Sequence, residues 1–265
     1  MYIRPVHAEL DVPTLSAFVE TYPLGLLTTH IPHPTIASLQ TSHIPFVLDR
    51  APTPTATIPA DSTPSPGSLG ILRAHIARAN PQCKALLAGV DSDTSELTDE
   101  VLVLFSAPVH SYVTPRLYTE TKPVTGKVVP TWNYAAVQVY GHLRVYNASS
   151  SSTPDEAERT VAFLTGQMDD LTRTNERTSL SKEGNTGDGW KVGDAPDKYV
   201  DLLKKAVVGI EIEITRIEGR FKLSQESTEG DRKGVVDGFR ALGTEEGNMM
   251  ADMVEQRGPS RDHKS

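Results

Sequence analysis

Alternation of apolar and polar residues with a period of two dominates the chain and predicts a mainly β fold. Such stretches are rich in β-branched residues and are separated by Gly, Pro, Asn or Asp. The predicted strands are 24–29, 35–48, 68–78, 101–107, 137–146 and 208–223. Because few helices lie between them, the strands should pair antiparallel, and the sheet should curl into a barrel that removes its edges.

Helical periodicity appears in a few places and predicts helices that flank the sheet, which makes the fold α+β. The predicted helices are 13–20, a short turn at 80–87, 154–175 and 195–207. Thr153, Pro154 and Glu156 have the order of a capping box with Pro in the first turn. The third helix has an apolar stripe at Ala157, Val161, Leu164, Met168 and Leu171. The fourth is expected to be capped by Asp194, with Tyr199, Leu202, Leu203 and Ala206 facing inward.

The organisation along the chain predicts one domain over residues 1–240. A Pro/Thr/Ser-rich insertion at 51–68 is too poor in apolar residues to pack and should form a mobile loop between two strands. Glycines and charges at 183–194 predict a second flexible loop. The Gly- and charge-rich end should fray after about Glu226, which leaves 241–265 as a flexible tail.

Composition narrows the class of protein. The 265 residues carry 26 Lys and Arg against 34 Asp and Glu, a net charge of −8, so a general nucleic-acid surface is not expected and DNA is an unlikely partner. One cysteine, Cys83, excludes an internal disulfide and fits a reducing compartment. No apolar run approaches the roughly 18 residues of a membrane span. We therefore expect a cytoplasmic protein without a membrane segment.

A loop that leads into a strand at 127–146 is the most informative stretch for function. Thr131, Trp132 and Asn133 place hydrogen-bond donors and a flat apolar wall next to each other. This combination suits a planar small-molecule ligand that carries a phosphate. The alternative is a core tryptophan beside an ordinary turn.

Two further segments offer polar groups on strands. Arg73 and His75 alternate with apolar neighbours, so they share one strand face and could bind an anion, or they could be a solvent-facing polar face. Ser42 and His43 precede Pro45, which should end the pairing of that strand and free backbone groups for a ligand, unless it marks an ordinary bulge.

The last predicted strand ends in alternating charged and apolar residues at 218–225. Arg220 and Lys222 should lie on one face, as part of an anion site or as an edge strand guarded by charge. The eight histidines are scattered, without metal-ligand spacing, and there is no P-loop, so no metal site is expected.

Taken together, these segments resemble the PaiB family, which is named for a bacterial negative regulator of protease synthesis and sporulation. The resemblance runs in order over roughly residues 1–240. It is carried by Pro5 with the first helix and by the segments 42–46 (SHIPF), 72–82 (LRAHIARANPQ), 129–134 (VPTWNY), 208–212 (VGIEI) and 222–225 (KLSQ). It implies an FMN-binding split β-barrel that forms a homodimer with flavin at the subunit interface.

The resemblance also implies roles for individual residues. Arg73 and His75, with Thr131, would hold the flavin phosphate or ribityl chain. Ser42 and His43 would meet the isoalloxazine edge through backbone groups, and Trp132 and Asn133 would line the pocket. Lys222, Ser224 and Gln225 would approach from the end of the last strand, into the partner's pocket. Cys83 stands where the family commonly has an aromatic residue, and its role stays open.

Three functions follow from this resemblance. The first is FMN-dependent oxidoreductase chemistry on an unidentified small molecule, with no residue that stands out as a general acid or base. The second is a ligand-sensing transcriptional regulator, although the chain is acidic and shows no helix-turn-helix. The third is haem binding or haem degradation on the same barrel.

Overall fold

The fold is built on one antiparallel sheet, described here from a computed structural model that covers residues 1–51, 65, 67–148 and 153–258. Its strands are β1 (Ala8–Glu9), β2 (Leu24–His30), β3 (Leu39–Pro45), β4 (Val47–Asp49), β5 (Ile71–Ala77), β6 (Val101–Ser106), β7 (Ser111–Val113), β8 (Thr131–Tyr146) and β9 (Val207–Lys222). The strand order is β3-β2-β6-β8-β9-β5-β4, with β1 added to β9 and β7 added to β8. The predicted mainly β, antiparallel fold is confirmed.

One bent segment closes the sheet into a barrel. β3 pairs with β2 at one edge of the sheet, and β4 pairs with β5 at the other. Only Phe46 separates β3 from β4, and its N–H donates to the carbonyl of Pro23 at 2.9 Å. The predicted single strand at 35–48 is therefore two strands. The expected break at Pro45 is confirmed, because proline has no N–H to continue the ladder.

The barrel interior follows the apolar face of each strand. On β5, Leu72, Ala74 and Ile76 are buried, as the alternation predicts. The rings of Phe46 and Phe105 meet edge to face with centroids 5.8 Å apart. β8 and β9 shift register at Gly141, where a Cβ atom would lie 2.2 Å from the Glu213 carbonyl oxygen. Only glycine therefore allows this close backbone approach.

Strand β8 begins earlier than the sequence predicts. The segment with Thr131, Trp132 and Asn133 is not a loop, because it pairs with β7 in register with Val113, Tyr112 and Ser111. The short strand β7 is not evident from alternation alone. The aromatic segment is thus fixed to the sheet, which makes its side chains part of a rigid surface.

The helices are α1 (Val12–Thr21), α2 (Pro81–Gly89), α3 (Thr121–Thr125), α4 (Pro154–Lys182), α5 (Asp197–Lys205), α6 (Glu229–Arg240) and α7 (Glu245–Arg257). Helix α1 confirms the first prediction, and Asp11 caps it by accepting from the Thr14 N–H at 2.9 Å. Cys83 is buried in α2, and burial raises the pKa of its thiol above the usual value, which fits a packing role.

Helix α4 begins as predicted but is longer than predicted. Thr153 Oγ1 accepts from the Glu156 N–H at 3.3 Å, which confirms the N-cap. The buried positions are Thr160, Leu164 and Gln167, whereas Val161 is exposed. The predicted stripe is partly wrong because α4 packs over a polar face of β5 and so turns polar residues inward.

Helix α5 differs most from its predicted packing. It begins at Asp197, and Asp194 instead accepts from the Lys191 N–H at 2.9 Å in the preceding 3-10 turn. Tyr199, Leu202 and Leu203 are 54%, 64% and 44% exposed, and Ala206 is exposed too. The prediction that they face inward is wrong for this chain alone, since the barrel core is already filled by the sheet.

The C-terminal segment is structured, so the predicted flexible tail is wrong for α7, as is fraying after Glu226 for α6. These two helices form a hairpin whose apolar side chains are buried; they include Val235, Val236, Phe239, Met250, Ala251 and Val254. Gly234 packs where a Cβ atom would lie 2.1 Å from the Leu117 carbonyl oxygen. Arg257 donates to the Ala8 carbonyl at 2.8 Å and ties the hairpin to the N-terminus.

Two predicted loops stay predictions. The insertion at 51–68 falls almost wholly outside the described residues, as do residues 259–265. Within 183–194, the Trp190 N–H donates to Glu176 on α4 at 3.2 Å. That contact shows where the loop lies but does not test its flexibility. The single-domain boundary at 240 likewise stays a prediction.

Candidate functional site

Six of the ten predicted site residues meet where β8 begins and β9 ends; we call Thr131, Trp132, Asn133, Lys222, Ser224 and Gln225 the Lys222 cluster. Lys222 pairs with Tyr134 across the two strands. Its ammonium group donates to Thr131 Oγ1 at 2.5 Å and to the Trp132 carbonyl at 3.1 Å. These distant segments therefore meet within one chain, whereas the family resemblance implied an approach of Lys222, Ser224 and Gln225 to the partner's pocket.

Electrostatics at Lys222 depend on its partial burial. Burial lowers the pKa of its ammonium group, the Glu226 carboxylate opposes this, and Arg220 and Arg4 lower the pKa further. Glu226 Oε1 lies 3.8 Å from Lys222 Nζ. A partly desolvated cation with one loosely placed counter-ion is well suited to receive an anionic ligand group.

Three members of the cluster are buried and support the site from beneath. Asn133 donates to Ser224 Oγ at 3.0 Å, and Ser224 has a left-handed φ of 59° that turns the chain after β9. Gln225 accepts from the Leu223 N–H at 2.6 Å and donates to the Phe221 carbonyl. Because Asn133, Ser224 and Gln225 are almost fully enclosed, they shape the site and do not line its open surface.

The open side of the cluster is aromatic. The Trp132 indole is 51% exposed and meets the ring of Tyr112 edge to face at 6.0 Å. The ring of His110 lies 5.8 Å from Trp132 on the same surface. Sequence reasoning missed Tyr112 and His110, because only the β7 pairing brings them beside Trp132.

Two other residues near Lys222, His7 and Glu226, were also missed by the sequence analysis. His7 lies just before β1 and is fully buried, and its Nε2 atom is 3.1 Å from Glu226 Oε2. Pairing of β1 with β9 places Ala8 opposite Arg220 and so brings His7 to this end of the sheet. No local motif marks His7 in the sequence, since its position depends on a strand more than 200 residues away.

Arg73 and His75 share one face of β5, as predicted, but this face is covered by α4. Arg73 donates to Asp49 at 2.5 and 2.7 Å and to Asp170 on α4 at 2.7 Å. His75 Nδ1 lies 2.6 Å from Gln167 Oε1. The hydrogen bonds to Asp49 raise the pKa of Arg73, with Asp170 adding to them against the opposing effect of burial.

These contacts correct the role expected for Arg73 and His75. Two carboxylates already balance the Arg73 charge, so a phosphate here would meet acidic oxygens. The pair instead fastens α4 to the barrel. Neither reading from sequence, an open anion site or a solvent-facing polar face, describes this interface.

Ser42 and His43 lie on β3, away from the Lys222 cluster along the sheet. Ser42 Oγ accepts from Asn80 Nδ2 at 3.0 Å, and His43 is exposed. Gln82 donates to the Leu27 carbonyl at 3.1 Å and to Thr29 Oγ1 at 3.0 Å. The Asn-Pro-Gln motif therefore ties α2 to β2 and β3, which is a structural task.

The predicted residues thus divide between two parts of the molecule. Arg73 pairs with Glu211, and eleven positions along β9 separate Glu211 from Lys222. At about 3.3 Å per residue this is roughly 36 Å along the strand. One chain does not bring all ten residues into a single pocket.

A cavity of about 930 Å³ lies elsewhere, between the C-terminal half of α4 and residues 184–193. Its lining carries both signs of charge: Arg173, Arg177 and Lys191, and Asp169, Glu176 and Asp188. Lys191 pairs with Asp188 at 3.1 Å, and Arg173 pairs with Asp170. This balance gives the cavity no preference for an anion.

Within the residues that the structure describes, no group of three His, Cys, Asp or Glu side chains could hold a metal ion. No helix over the same residues is both long and apolar enough to cross a membrane.

An antiparallel barrel closed through the bend between β3 and β4, with a cation and an aromatic wall where β8 begins and β9 ends, has the architecture of a split-barrel domain. The chain belongs to the family described as "Putative FMN-binding domain", which matches residues 1–216. The predicted family is therefore confirmed, and Lys222 lies just after the matched segment.

This chain resembles known proteins and solved structures to different degrees. A protein of Aspergillus fumigatus is 50% identical over 272 aligned positions and covers 100% of both chains. The Bacillus subtilis "Protease synthase and sporulation protein PAI 2" is 27% identical and covers 69% of this chain and 71% of that protein. An FAD and haem binding protein from Mycobacterium smegmatis is 13% identical, with a TM-score of 0.41, and covers 82% and 73%.

Proposed function

We propose that this protein is a homodimer that binds FMN at the Lys222 cluster and uses it in oxidoreductase chemistry on a small molecule. The observation that supports this most is the Lys222 ammonium group, held at Thr131 and Trp132 beside an exposed indole. Membership in a family described as a putative FMN-binding domain supports the choice of FMN as the flavin. FMN, when bound, supplies electron or hydride transfer, and the protein supplies binding and orientation.

The donor set fits such a cofactor. A phosphate needs a cation and hydroxyl or backbone donors, and Lys222 with Thr131 can provide the first two. A flavin ring needs a flat apolar wall, and Trp132 with Tyr112 can provide it. Lys222, Thr131 and Trp132 would hold the cofactor, with Asn133, Ser224 and Gln225 keeping the turn beneath them in place.

A homodimer is supported by apolar surface that one chain leaves uncovered. Tyr199, Leu202 and Leu203 form an exposed apolar face on α5. A two-fold partner can bury such a face, since the same patch then meets itself or a neighbouring patch. The family resemblance, and no contact within one chain, is the basis for proposing that Ser42 and His43 of one subunit meet the flavin bound at the Lys222 cluster of the other.

A flavin titration tests the binding proposal. We expect purified protein to bind FMN and to show the paired near-ultraviolet and blue bands of a bound flavin. Lys222→Met should weaken FMN binding roughly 10- to 150-fold, because it removes hydrogen bonds from a charged group worth about 1.5–3 kcal/mol. Lys233→Met, on the exposed face of α6, is the matched control and should bind like wild type.

The chemistry needs a second measurement. The FMN-loaded protein is mixed anaerobically with NADH or NADPH, and bleaching of the blue band reports reduction. Bleaching supports the oxidoreductase proposal, and an unchanged band with both donors contradicts direct reduction by nicotinamide. A Soret band in the purified protein would point to haem in place of flavin.

A ligand-sensing regulator is the second candidate, because the Bacillus subtilis relative carries the name of a protease synthase and sporulation protein. The net charge of −8 disfavours intrinsic DNA binding. Titration into random and promoter DNA at low salt tests this candidate. Salt-sensitive DNA binding with no flavin reduction would favour the regulator over the enzyme.

A further inference from the structure

His7 is a fully buried imidazole, and its Nδ1 atom has no hydrogen-bond partner among the described residues. Its Nε2 atom lies 3.1 Å from Glu226 Oε2, close enough for an ion pair when the imidazole carries a proton. That carboxylate oxygen is buried as well. Burial of an imidazole and a carboxylate oxygen away from water costs free energy, so their presence here calls for a reason.

The contacts continue from His7 toward the open surface. Glu226 presents one carboxylate oxygen to His7 and the other to Lys222, 3.8 Å from Nζ. Lys222 in turn donates to Thr131 and to the Trp132 carbonyl. A line of three titratable groups therefore joins a buried imidazole to the segment that carries the exposed indole.

Other titratable groups surround this line: Arg220 acts on both His7 and Lys222, Arg4 acts on Lys222, and Tyr118 interacts with Glu226. Asp231 and Tyr112 act in turn on Tyr118. Burial lowers the pKa of His7 below 6.5, Glu226 opposes this, and Lys222 and Arg220 lower it further. Burial therefore favours the neutral form of the imidazole. Burial would raise the pKa of Glu226, but a backbone hydrogen bond, His7 and Lys222 together lower it, which favours the charged carboxylate.

We propose that His7 is a positioning residue for the ligand-facing ammonium group of Lys222 and acts through Glu226. When His7 is neutral, the negative charge of Glu226 attracts the ammonium group of Lys222 and keeps it at Thr131. A proton on His7 draws the carboxylate to the imidazolium, loosens its hold on Lys222 and adds positive charge nearby. An anion at Lys222 should then bind more tightly on the acid side of the His7 titration.

The chemical reactivity of Lys222 tests this inference without any flavin. Trace labelling with an amine-acylating reagent, read by mass spectrometry, gives the rate at Lys222 relative to exposed Lys84 at each pH. Loss of the Glu226 counter-charge lowers the pKa of Lys222, so the ratio should rise severalfold as the pH falls through the His7 titration. His7→Gln should remove this inflection. Glu226→Gln should also remove the inflection and should raise the labelling ratio of Lys222 to Lys84 at every pH.

Folding of both variants is checked by circular dichroism, and Glu226→Gln serves if His7→Gln does not fold, because Glu226 is partly exposed. A flat ratio in the wild type overturns the proposal. So does an inflection that survives in His7→Gln or Glu226→Gln, because it would belong to another group.

The expected effect of His7 on FMN affinity rests on the proposed function and is measured separately. Relative to His7→Gln, wild-type protein should gain roughly fivefold in FMN affinity across the same pH range, at the low end of usual coupling between sites. Riboflavin, which lacks the phosphate, should show no such gain. If the labelling shows the inflection but FMN binding does not depend on Lys222, the coupling of His7 to Lys222 is supported and the flavin site is rejected. If FMN binding depends on Lys222 but the labelling shows no inflection, only the coupling is rejected.

Discussion

Arg73 holds the Asp49 carboxylate through two hydrogen bonds, 2.5 Å from Nε and 2.7 Å from Nη2. The same guanidinium reaches Asp170 on α4. Two neighbouring strands and the longest helix are therefore joined at one side chain. Sequence alone suggests an anion-binding arginine here, and the structure shows an internal clamp.

Loss of this clamp should affect stability more than flavin binding. Arg73→Met leaves Asp49 without its cation and Asp170 with only the exposed Arg173, so we expect a loss of about 1–3 kcal/mol in the free energy of unfolding. Arg173→Met removes only the exposed partner of Asp170 and should cost less than about 0.5 kcal/mol. Denaturant unfolding measures both. FMN affinity that falls more than about threefold in Arg73→Met would restore the phosphate role of Arg73.

The two tryptophans allow a direct test of the aromatic wall. In Trp190→Phe, Trp132 is the remaining tryptophan, and its emission should be quenched as FMN is added. In Trp132→Phe, Trp190 should respond weakly. Trp132→Ala should also weaken FMN binding by about 1 kcal/mol, roughly fivefold, through lost ring contact. Equal quenching of both tryptophans, or of Trp190 alone, would place the flavin near the α4 cavity.

The exposed face of α5 predicts the assembly state. Leu202→Asp puts a charge into the proposed interface, so association should weaken by at least about 2 kcal/mol, roughly thirtyfold. Leu242→Asp changes an equally exposed leucine outside that face and should leave the dimer intact. Sedimentation at several micromolar concentrations distinguishes them. A monomeric wild type, or a Leu202→Asp dimer, would show that this face has another use.

The carboxylate of Asp231 should make the stability of the C-terminal hairpin, α6 with α7, depend on pH. This buried carboxylate accepts from the Glu120 N–H at 2.8 Å and the Thr121 N–H at 3.0 Å. Burial raises its pKa, but hydrogen bonds, including those from the Thr121 side chain and these N–H groups, lower it below 3.8 overall. The charged form thus stabilises the fold above pH 3.8, and that contribution is lost as the pH falls through the lowered pKa.

Asp231→Ala should therefore lower the free energy of unfolding by about 1–3 kcal/mol at neutral pH. Asp231→Asn keeps an acceptor oxygen and should lose less. The difference in the free energy of unfolding between wild type and Asp231→Ala should become smaller as the pH falls below 3.8. Urea unfolding of all three proteins at neutral and acidic pH gives the comparison, and a gap independent of pH would assign the effect to packing.

Strand positions followed from the sequence because one face of each strand is buried in the barrel. Leu72, Ala74 and Ile76 alternate with Arg73 and His75 for that reason. What covers the outer face is not local information, since Asp170 and Gln167 lie more than 90 positions away in the chain. The presence of a polar face was therefore predictable, whereas its partner was not.

The candidate site shows the same limit. Thr131 and Lys222 were each recognisable from residue type and family resemblance, but their contact depends on the pairing of β8 with β9. His7 and Tyr112 had no local signal, because long-range strand pairing brings them in. The C-terminal hairpin was missed because its glycines resemble a flexible tail, although Gly234 in fact permits close packing.

The central place of β9 has a consequence for biosynthesis. This strand pairs with β1, β5 and β8, yet among the strands that the structure describes it is the last to leave the ribosome. Until it emerges, β5 can pair only with β4, and β8 lacks the neighbour that joins the two halves of the sheet. Until β9 emerges, the nascent chain therefore presents unpaired apolar strand edges, a state in which chaperones commonly protect such segments.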